Sequence, residues 1–376
     1  MKRAYLVVLS VLSLAPYAQA DLAVKLVGQW ICEPGGTAVS GSLAYVGVGT
    51  SLYVVDVSMP SAPRCLSSVT LPGNVVAVDA PYGCACAAIG ESGVQVIDVY
   101  DPCSPVLGGV CDPPPPSWTY RVAVSGTMAY VSDINRGLLL VDVLMPDAPS
   151  LVSTYPTAEY PRDIVISGDY ALLAVGSAGL QIMDVYDSRF PAPVGWCDTP
   201  GSASGLAVPG GRYVYVADGV AGLQVIDASD PRSPILVGGC NTPGDAASVA
   251  VSARYAYVAD MDAGLQIIDI HDPCSPTLVG RYDTPGITYD VAVSGKYIYT
   301  SDTSGGLVIL QVAWPGDFEP DCDVDWDDVA FFASRWMSAG CRYPDYCDGA
   351  DFSYDGSVNS ADFAAMSRHW LRPGCP

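Results

Sequence analysis

A short phrase that recurs at a nearly constant spacing constrains the fold of this chain more than any other feature of its sequence. The phrase reads GLQVIDASDPRSP at Gly222–Pro234. Six copies keep its aspartate, called here the anchor aspartate: Asp56, Asp98, Asp142, Asp184, Asp227 and Asp269. A seventh copy, GLVILQV at Gly306–Val312, has Gln311 in its place, and successive anchors are 42 to 44 residues apart. So regular a period indicates a repeat architecture.

Each repeat contains four short runs with the composition of β-strands. An AVSG-type run and a YVAD-type run precede the anchor phrase, and an LVGRYDTPG-type run follows it, as at Leu278–Gly286. The runs are rich in Val, Ile, Tyr and Leu, and Gly, Pro, Asp and Ser separate them. Four strands in about 42 residues is the size of one propeller blade, so the sequence predicts an all-β, seven-bladed β-propeller.

The two ends of the repeat region predict how the ring closes. LVGQWIC, at Leu26–Cys32, matches only the last strand of the repeat, whereas Val291–Val312 supplies the first three strands and nothing to follow them. We therefore expect the N-terminal strand to complete the seventh blade and protect an otherwise open sheet edge. The inner strands are expected to begin near Thr37, Asn74, Tyr120, Arg162, Ser204, Ala247 and Tyr289.

The recurring aspartates are expected to be structural. Each anchor aspartate precedes a turn, and Asp218, Asp260 and Asp302 stand before other turns, where a carboxylate can accept hydrogen bonds from backbone amides two residues on. Six anchor carboxylates spread around a ring cannot converge on one substrate. A structural role is therefore favoured over catalysis.

These phrases carry a family resemblance. LQIIDIHDPCSP, LQVIDASDPRSP and VYVADGVAGL resemble the LVIVD-repeat family of bacterial and archaeal surface and secreted proteins. The resemblance covers roughly Leu26 to Val312 and implies a β-propeller. It is specific for the fold and says little about function, because propellers serve both as binding platforms and as enzymes.

The first twenty residues predict export. Lys2 and Arg3 precede an apolar run from Ala4 to Leu14 and a small-residue cleavage site at Ala18–Ala20, so residues 1–20 read as a signal peptide and the mature chain would begin at Asp21. The alternative, a membrane anchor, is weaker because a spanning helix needs roughly 20 apolar residues. No later stretch is a candidate membrane span.

The charge balance narrows the possible partners. The chain has 17 Lys and Arg against 40 Asp and Glu, for a formal net charge of −23. Binding to nucleic acid or to an anionic lipid surface is therefore not expected. A simpler role for the acidity is to keep a secreted protein soluble.

The 13 cysteines permit disulfides in an exported chain, although the odd number leaves at least one without an intramolecular partner. Cys111, Cys197 and Cys240 occupy one place in three different repeats and should lie too far apart to bridge. Cys103 and Cys111 within one repeat are a possible pair, but burial as small apolar side chains is an equally good interpretation.

One irregular region of the propeller is a candidate ligand site. The connections DPPPPSWTYR, at Asp112–Arg121, and YPTAEYPRD, at Tyr155–Asp163, are longer or more aromatic than DTPG at Asp283–Gly286. They bring aromatic rings and guanidinium groups to one end of adjacent blades, where stacking and planar contacts could bind a partner or a glycan. The predicted residues are Trp118, Tyr120, Arg121, Tyr160 and Arg162. Packing and prolyl stiffening would explain the same residues without a ligand.

The sequence offers little evidence for catalysis. His271, in the turn after the sixth anchor, is the single histidine of the propeller, so no second histidine could share a metal with it. GSASG, at Gly201–Gly205, lacks the strand-to-helix context of a nucleophile elbow. A cluster of carboxylates in one mouth of the propeller would favour an enzyme acting on polysaccharide, and the sequence shows no obvious one.

The last sixty residues predict a calcium-binding module. Asp317–Asp328 and Asp351–Asp362 both place oxygen side chains at positions 1, 3, 5, 9 and 12 of a twelve-residue loop and a valine at position 8. A helical stretch that reaches Trp336 or Trp370 follows each loop. Calcium takes six to eight oxygen ligands, and a loop with this spacing can wrap it. The alternative, two acidic turns that cap two helices, leaves the matching valines and tryptophans unexplained.

This segment resembles a type I dockerin, a module that binds cohesin domains on cell-bound or secreted scaffolds. The resemblance implies ligands Asp317, Glu319, Asp321, Asp323, Asp325 and Asp328 in the first loop, and Asp351, Ser353, Asp355, Ser357, Asn359 and Asp362 in the second. Asp323 and Ser357 would bind through their backbone carbonyls. Cys322 replaces the usual turn glycine and could be bridged to Cys341, Cys347 or Cys375. The partner-selecting positions, Trp326–Asp327 and Ser360–Ala361, differ between the halves, which puts the familiar cohesin specificity in doubt.

Together these features predict a signal peptide at 1–20, a propeller at 21–313 and a dockerin-like domain with small helices at 314–376. The favoured function is a secreted, non-enzymatic binding protein with a cohesin-like or other cell-surface partner and Ca²⁺ as its cofactor. The competing class is a tethered enzyme that acts on polysaccharide.

Overall fold

The computed structural model describes residues 23–81, 83–313, 326–339, 341, 350–351 and 357–367. Its β-strands form seven antiparallel sheets of four strands each. Neighbouring sheets contact one another through their inner strands, and the contact between the inner strands of the first and seventh sheets closes the ring. The predicted seven-bladed all-β propeller is therefore confirmed.

The strands follow the repeat. Blade 1 contains β2 (Thr37–Ser40), β3 (Leu43–Val48), β4 (Ser51–Asp56) and β5 (Arg64–Thr70); blade 2 contains β6 (Ala77–Asp79), β7 (Cys84–Ala88), β8 (Val94–Asp98) and β9 (Val106–Cys111). Blade 3 contains β10 (Thr119–Ser125), β11 (Met128–Asp133), β12 (Gly137–Asp142) and β13 (Ser150–Tyr155); blade 4 contains β14 (Asp163–Ser167), β15 (Tyr170–Ala174), β16 (Leu180–Asp184) and β17 (Ala192–Cys197). Blade 5 contains β18 (Gly205–Ala207), β19 (Tyr213–Ala217), β20 (Leu223–Asp227) and β21 (Ile235–Cys240), with a 3₁₀ turn at Pro209–Gly211. Blade 6 contains β22 (Ser248–Ser252), β23 (Tyr255–Ala259), β24 (Leu265–Asp269) and β25 (Thr277–Tyr282).

The seventh blade joins the two ends of the propeller. It contains β26 (Thr288–Ser294), β27 (Tyr297–Asp302) and β28 (Gly306–Ala313), and its fourth strand is β1 (Ala23–Trp30). β1 runs antiparallel to β28, with Ala23 opposite Ala313 and Trp30 opposite Leu307. The prediction that the N-terminal strand completes the last blade is confirmed.

Two faces of the ring follow from this strand order. The mouth face carries the turns between second and third strands and the loops that enter each inner strand. The rear face carries the hairpins after the inner strands and the loops after the anchor aspartates. Because β28 runs towards the rear face and β1 runs away from it, the chain enters and leaves the propeller on the rear face.

Apolar side chains pack between blades, and strands that are covered on both faces carry apolar residues on both. Leu180 and Ile182 of blade 4 share a cluster with Val214 and Ile226 of blade 5, and all four are at most 1% exposed. Equivalent clusters lie between the other pairs of neighbours. Burial between blades thus accounts for a mean hydropathy of +0.29 in this chain.

The glycine that begins the anchor phrase is required by the backbone. Gly222 has φ of +72°, and a Cβ at this position would lie 2.4 Å from the carbonyl oxygen of Cys240 on the fourth strand. Gly179 and Gly264 meet the fourth strands of their own blades in the same way. Any larger residue would separate the third strand from the fourth.

A second set of close contacts joins each fourth strand to the next blade. A Cβ on Gly195 would lie 1.9 Å from the carbonyl oxygen of Pro231, and one on Gly238 would lie 2.3 Å from that of Pro273. At the same position of blade 3, the hydroxyl of Ser153 donates a hydrogen bond to the carbonyl of Ser188 at 2.6 Å. The fourth strand therefore either has no side chain here or bonds to the neighbouring loop.

The structural role of the aspartates is largely as expected. Every anchor aspartate accepts a hydrogen bond from the amide two residues on, for example Ser229 N to Asp227 Oδ1 at 2.9 Å. Asp302 does the same with Ser304 at 2.9 Å.

The prediction for Asp218 and Asp260 was wrong in its detail. Asp218 accepts from the hydroxyl of Thr199 at 2.7 Å and the amide of Gly201 at 2.8 Å, and Asp260 accepts from Thr242 and Gly244. These carboxylates, both fully buried, therefore fix the preceding loop instead of their own turn.

The Cys103–Cys111 disulfide is not formed. Cys103 is exposed in a rear-face turn, Cys111 is buried at the mouth end of β9, and both are free thiols. Cys197 and Cys240 are also free, as predicted for equivalent positions in separate blades. Burial rather than bridging is thus the role of Cys111.

The described part of the C-terminal segment contains two short helices. They are α1 (Trp326–Arg335) and α2 (Ser360–Ser367). Phe332 and Met366, one from each helix, meet in a small cluster that also contains Cys341, Ala350 and Val358. Cys341 is disulfide-bonded, and Cys322, for which it is one of the predicted partners, lies outside the described residues. A dockerin-like fold for this segment stays a prediction.

Candidate functional site

The narrowest part of the central channel is formed by one position of each inner strand. Strand register aligns Gly36, Ala77, Arg121, Asp163, Gly205, Ser248 and Asp290 as equivalent residues. A Cβ on Gly36 would lie 2.4 Å from the Cα of Ala77, and one on Gly205 would lie 2.7 Å from the Cα of Ser248. Neighbouring backbones are therefore almost in contact here, so the charged members of this ring must share a small space.

A single side chain crosses the channel at this level. Arg121 Nη1 of blade 3 lies 3.6 Å from Asp290 Oδ2 of blade 7, which is on the opposite side of the ring. Arg121 Nε also donates a hydrogen bond to the carbonyl of Arg162 in blade 4, at 3.3 Å. The hydroxyl of Ser248 donates to Asp290 Oδ1 at 2.8 Å. This ion pair spans the channel and narrows it below the mouth.

The enclosed acids differ from ordinary surface aspartates. Burial raises the pKa of Asp163 to about 6, although Arg121 and the amide of Leu206 act in the opposite direction. Burial likewise raises the pKa of Asp79, whose Oδ2 accepts a hydrogen bond from the amide of Val124 at 2.7 Å. For Arg121 burial lowers the pKa, but the carboxylates of Asp290 and Asp163 outweigh this effect, so its pKa is raised. Arg121 is therefore a permanent cation in the channel.

The five predicted ligand residues lie at the mouth end of blades 3 and 4, and their surroundings differ. The rings of Tyr120 and Tyr160 meet edge to face, with centroids 5.7 Å apart. The guanidinium of Arg162 lies 5.9 Å from the ring of Tyr160, and its Nη1 is 3.3 Å from the hydroxyl of Ser204. Arg121 is engaged in the cross-channel ion pair. The structure thus brings Tyr120, Tyr160 and both arginines together.

Four of the described propeller arginines form ion pairs, and Arg162 is not one of them. Its Nε is enclosed and has no hydrogen-bond acceptor among the described residues. The carboxylate of Glu159, on the same connection, accepts a hydrogen bond from the hydroxyl of Ser177. A Cβ built on Gly176 would lie 2.2 Å from Glu159 Oε2 and 3.4 Å from Arg162 Nη2, so this carboxylate is close to the guanidinium and partly compensates its charge.

Trp118 is held in place by a buried carboxylate. Asp133, at the end of β11, accepts from the amide of Trp118 at 2.8 Å and from the hydroxyl of Ser117 at 2.5 Å. The indole lies over Gly90 of blade 2, where a Cβ would be 3.4 Å from the six-membered ring. With 41% of its surface exposed, Trp118 offers a flat apolar surface at the rim of the mouth.

Sequence reasoning missed Asp163 and Asp290. Their signal was present, because aligning the inner-strand phrases places Arg121, Asp163 and Asp290 in one column that otherwise holds small residues. The alignment does not reveal which blades face each other across the ring. That relation requires the closed seven-fold geometry.

The predicted calcium loops are described in part. Asp328, Asp351 and Asp362 are at most 2% exposed, and Asp362 Oδ2 accepts a hydrogen bond from the amide of Asn359 at 2.8 Å. Ser357 is half-buried beside an antiparallel bridge to Ala339. The other seven predicted ligands, Asp317, Glu319, Asp321, Asp323, Asp325, Ser353 and Asp355, lie outside the described residues. Among the residues that the structure describes, no three potential ligand side chains come together, so calcium binding by these loops stays a prediction.

Within the described ranges, no helix is both long and apolar enough to cross a bilayer.

Comparison with solved structures supports the architecture. The crystal structure of the RRP9 WD40 repeats matches with a TM-score of 0.63 and 10% identity, covering 78% of this chain and 99% of that one. The structure of U3-55K matches with a TM-score of 0.62 and 9% identity, covering 77% and 98%. The computationally designed Ika8 protein matches with a TM-score of 0.58 and 8% identity, covering 76% and 98%. At such identities the similarity shows the fold alone.

The family comparison is more specific. Among curated proteins, none matches the sequence. The family model described as the LVIVD repeat matches residues 35–70, 118–157, 159–199, 200–242, 243–284 and 285–315, which together are more than half of the chain. The matched segments contain the anchor phrases of blades 1 and 3 to 7, and the ring that they form is a propeller. The chain therefore belongs to the LVIVD-repeat family.

Proposed function

We propose that this chain is a secreted, non-enzymatic binding protein whose propeller mouth recognises a ligand and whose C-terminal segment docks it, with calcium, to a cohesin-like or other cell-surface partner. A repeat propeller suggests a binding or scaffold role. The observation that carries the proposal is the set of side chains at the mouth: an exposed indole, two tyrosine rings in contact and an arginine that forms no ion pair among the described residues.

A glycan is the ligand class that these residues suit. Sugar rings stack on indole and phenol faces, and a guanidinium binds hydroxyl or carboxylate oxygens through paired donors. Trp118 supplies the exposed surface, and Arg162 supplies donors in an acidic protein. Because the Arg121–Asp290 pair narrows the channel below, a ligand would bind from the mouth side.

Titration of the purified protein with a panel of neutral and acidic oligosaccharides tests the mouth. Trp118→Ala and Arg162→Ala should each weaken binding by about tenfold or more, since each removes a central contact. The matched control is Trp196→Ala, because Trp196 is 49% exposed on the outer strand β17, at the circumference of the ring and not on a connection that enters an inner strand. Equal weakening by Trp196→Ala, or none by either mouth variant, would contradict the proposal.

The calcium part of the proposal rests on buried acids at the expected positions. Asp328 stands at position 12 of the first loop, and Asp351 and Asp362 stand at positions 1 and 12 of the second. A bound Ca²⁺ would neutralise these carboxylates and hold each loop against its helix. The chain's own contribution is the bridge between Ala339 and Ser357, which ties the segment after α1 to the second loop.

Calorimetric titration of the full chain with Ca²⁺ tests this part. Two binding events are expected, one lost in Asp328→Ala and the other in Asp362→Ala. The control Asp272→Ala removes an exposed propeller carboxylate and should leave both events unchanged. Absence of binding heat in the parent protein would mean that the loops are acidic turns.

One observation favours a second candidate, an enzyme acting on polysaccharide. Asp163 has a raised pKa beside Arg121, and Asp290 approaches the same guanidinium, so two carboxylates share one channel. Two carboxylates in one site are the arrangement that glycosidases use as acid and base. Release of reducing ends that is abolished by Asp163→Asn would favour the enzyme over the binding protein.

A further inference from the structure

The rear face of blades 1 to 4 exposes an unusual amount of apolar surface. Six side chains in the loops after the anchor aspartates are between 63% and 87% exposed: Met59, Tyr100, Leu144, Met145, Tyr186 and Phe190. They occupy the same loop in four adjacent blades and therefore lie along one arc of the ring. We call this set the apolar arc.

Blades 5 and 6 lack it. At the equivalent two positions of their loops, blades 5 and 6 carry Ser229 and Asp230, and His271 and Asp272. The loop geometry is the same in all six blades, because each anchor aspartate accepts a hydrogen bond from the amide two residues on. The apolar side chains are thus a property of blades 1 to 4 and are not required by the turn.

The same hydrogen bonds hold the arc in position. The amides of Tyr100, Leu144 and Tyr186 are themselves the donors to Asp98, Asp142 and Asp184, at 2.8 to 3.0 Å. Each of these side chains therefore projects from a fixed backbone. A surface that is ordered before binding loses less conformational entropy when a partner docks.

The charge around the arc has one dominant sign. In the described rear-face loops of blades 1 to 4, eight carboxylates surround it: Asp56, Asp98, Asp101, Asp142, Asp147, Asp169, Asp184 and Asp187. Against them stand Arg64 and Arg189, and the latter is paired with Asp187 at 2.8 Å. A hydrogen bond from Ser58 lowers the pKa of Asp56, and one from Arg189 lowers that of Asp187, so both are ionised at neutral pH.

Most of the described basic residues of the rear face lie instead on blades 5 to 7. Arg212 pairs with Asp227 at 3.0 Å, and Arg254 pairs with Asp269. Arg232 and Lys296 are exposed in the same half. The rear face is therefore divided into an apolar, acidic half and a half in which the charges are balanced.

We propose that the apolar arc is a docking surface for a second protein that presents lysine or arginine side chains around an apolar strip. Exposed apolar patches rimmed by charge are characteristic of interaction sites. The excess of carboxylates selects a basic partner and steers its approach. The same charge opposes a second copy of this chain, whose arc would carry like charges, and an anionic lipid surface.

Fluorescence anisotropy with labelled peptides tests the proposal on the full-length protein. The probe is an amphipathic helical peptide of lysine and leucine, and a lysine–serine peptide of equal charge reports binding by charge alone. The arc variant replaces all six residues of the apolar arc with serine. If it is poorly soluble, the double variant Tyr100→Ser, Tyr186→Ser is used in its place. The matched control is Val220→Ser with Ile31→Ser, because these residues are 79% and 78% exposed on the mouth face.

The arc variant should bind the lysine–leucine peptide about tenfold more weakly than the parent at physiological salt. The mouth-face control should bind like the parent, and the parent should prefer the leucine peptide to the serine peptide. Equal affinity of the arc variant and the parent overturns the proposal. Sedimentation of the parent as a dimer and of the arc variant as a monomer also overturns it, because the arc would then be an interface between copies of this chain.

Discussion

Asp163 shows how position in the ring alters an ordinary side chain. Its equivalents in neighbouring blades are Arg121 and Gly205, so the carboxylate lies beside a cation on one side and close to backbone on the other. Burial raises its pKa to about 6 despite that cation. Folding therefore stabilises the protonated form of Asp163 relative to the unfolded chain, although the ionised form still predominates at neutral pH.

This shift predicts a pH dependence of stability. At pH values between the unfolded pKa of Asp163, about 4, and its folded pKa, about 6, the folded state keeps a proton that the unfolded state has lost. The contribution of Asp163 is consequently full below pH 4 and is lost as the pH rises through 6. The variant Asp163→Asn cannot ionise at this position. Its free energy of unfolding, relative to that of the parent, should therefore rise by on the order of 2 kcal/mol as the pH increases from 4 to 7.

Urea unfolding at a series of pH values measures this difference. Asp187→Asn is the control, because Asp187 is exposed and the hydrogen bond from Arg189 lowers its pKa. A parent-minus-variant difference that does not change with pH would show that Asp163 titrates like a surface carboxylate.

At the scale of the strand, the contact between each fourth strand and the next blade sets which residues are allowed. Gly195→Ala would place a methyl group 1.9 Å from the carbonyl oxygen of Pro231. Blades 4 and 5 would have to separate, so we expect a loss of about 1–3 kcal/mol in unfolding free energy. Chemical denaturation measures it.

Ser153→Ala is the matched control, since Ser153 occupies the same position in blade 3 and already has a Cβ. It loses one hydrogen bond to the carbonyl of Ser188, and the expected cost is about 1 kcal/mol. A smaller effect for Gly195→Ala than for Ser153→Ala would contradict the steric account.

The strands could be predicted from the sequence because the same local pattern of strand and turn residues recurs in each of the seven repeats. Val, Ile and Tyr in short runs, bounded by Gly, Pro and Asp, specify strands and turns without knowledge of the partner strands. Contacts between blades could not be predicted in this way. The partner of Gly195, for example, is a carbonyl in the next blade, and the reach of Asp218 to Thr199 depends on how two loops lie side by side.

The candidate site was predictable only in part for the same reason. Irregular connections identified Trp118, Tyr120, Tyr160 and Arg162, because loop length and aromatic content are local properties. The pairing of Arg121 with Asp290 joins blades on opposite sides of the channel and depends on the number of blades. The apolar arc likewise becomes a surface only when four adjacent blades present the same loop on one face.

At the scale of the molecule, ring closure determines the orientation of both faces. The chain enters at β1 and leaves after β28 on the rear face. The chain after β28 therefore continues from the face opposite the mouth. A partner bound to the C-terminal segment would leave Trp118 and Arg162 accessible. The apolar arc would lie on the same face of the propeller as the start of the C-terminal segment.

The central structural claim is that β1 closes the ring as the fourth strand of blade 7. Deleting residues 23–30 would remove that strand's cross-strand hydrogen bonds, expose β28 as an edge and uncover the cluster around Val24 and Leu310. Thermal unfolding followed by circular dichroism tests the claim most directly. A midpoint lowered by at least about 10 °C is expected for a loss of several kcal/mol, with partial recovery when the 23–30 peptide is added. An unchanged midpoint would contradict the closure of the ring by this strand.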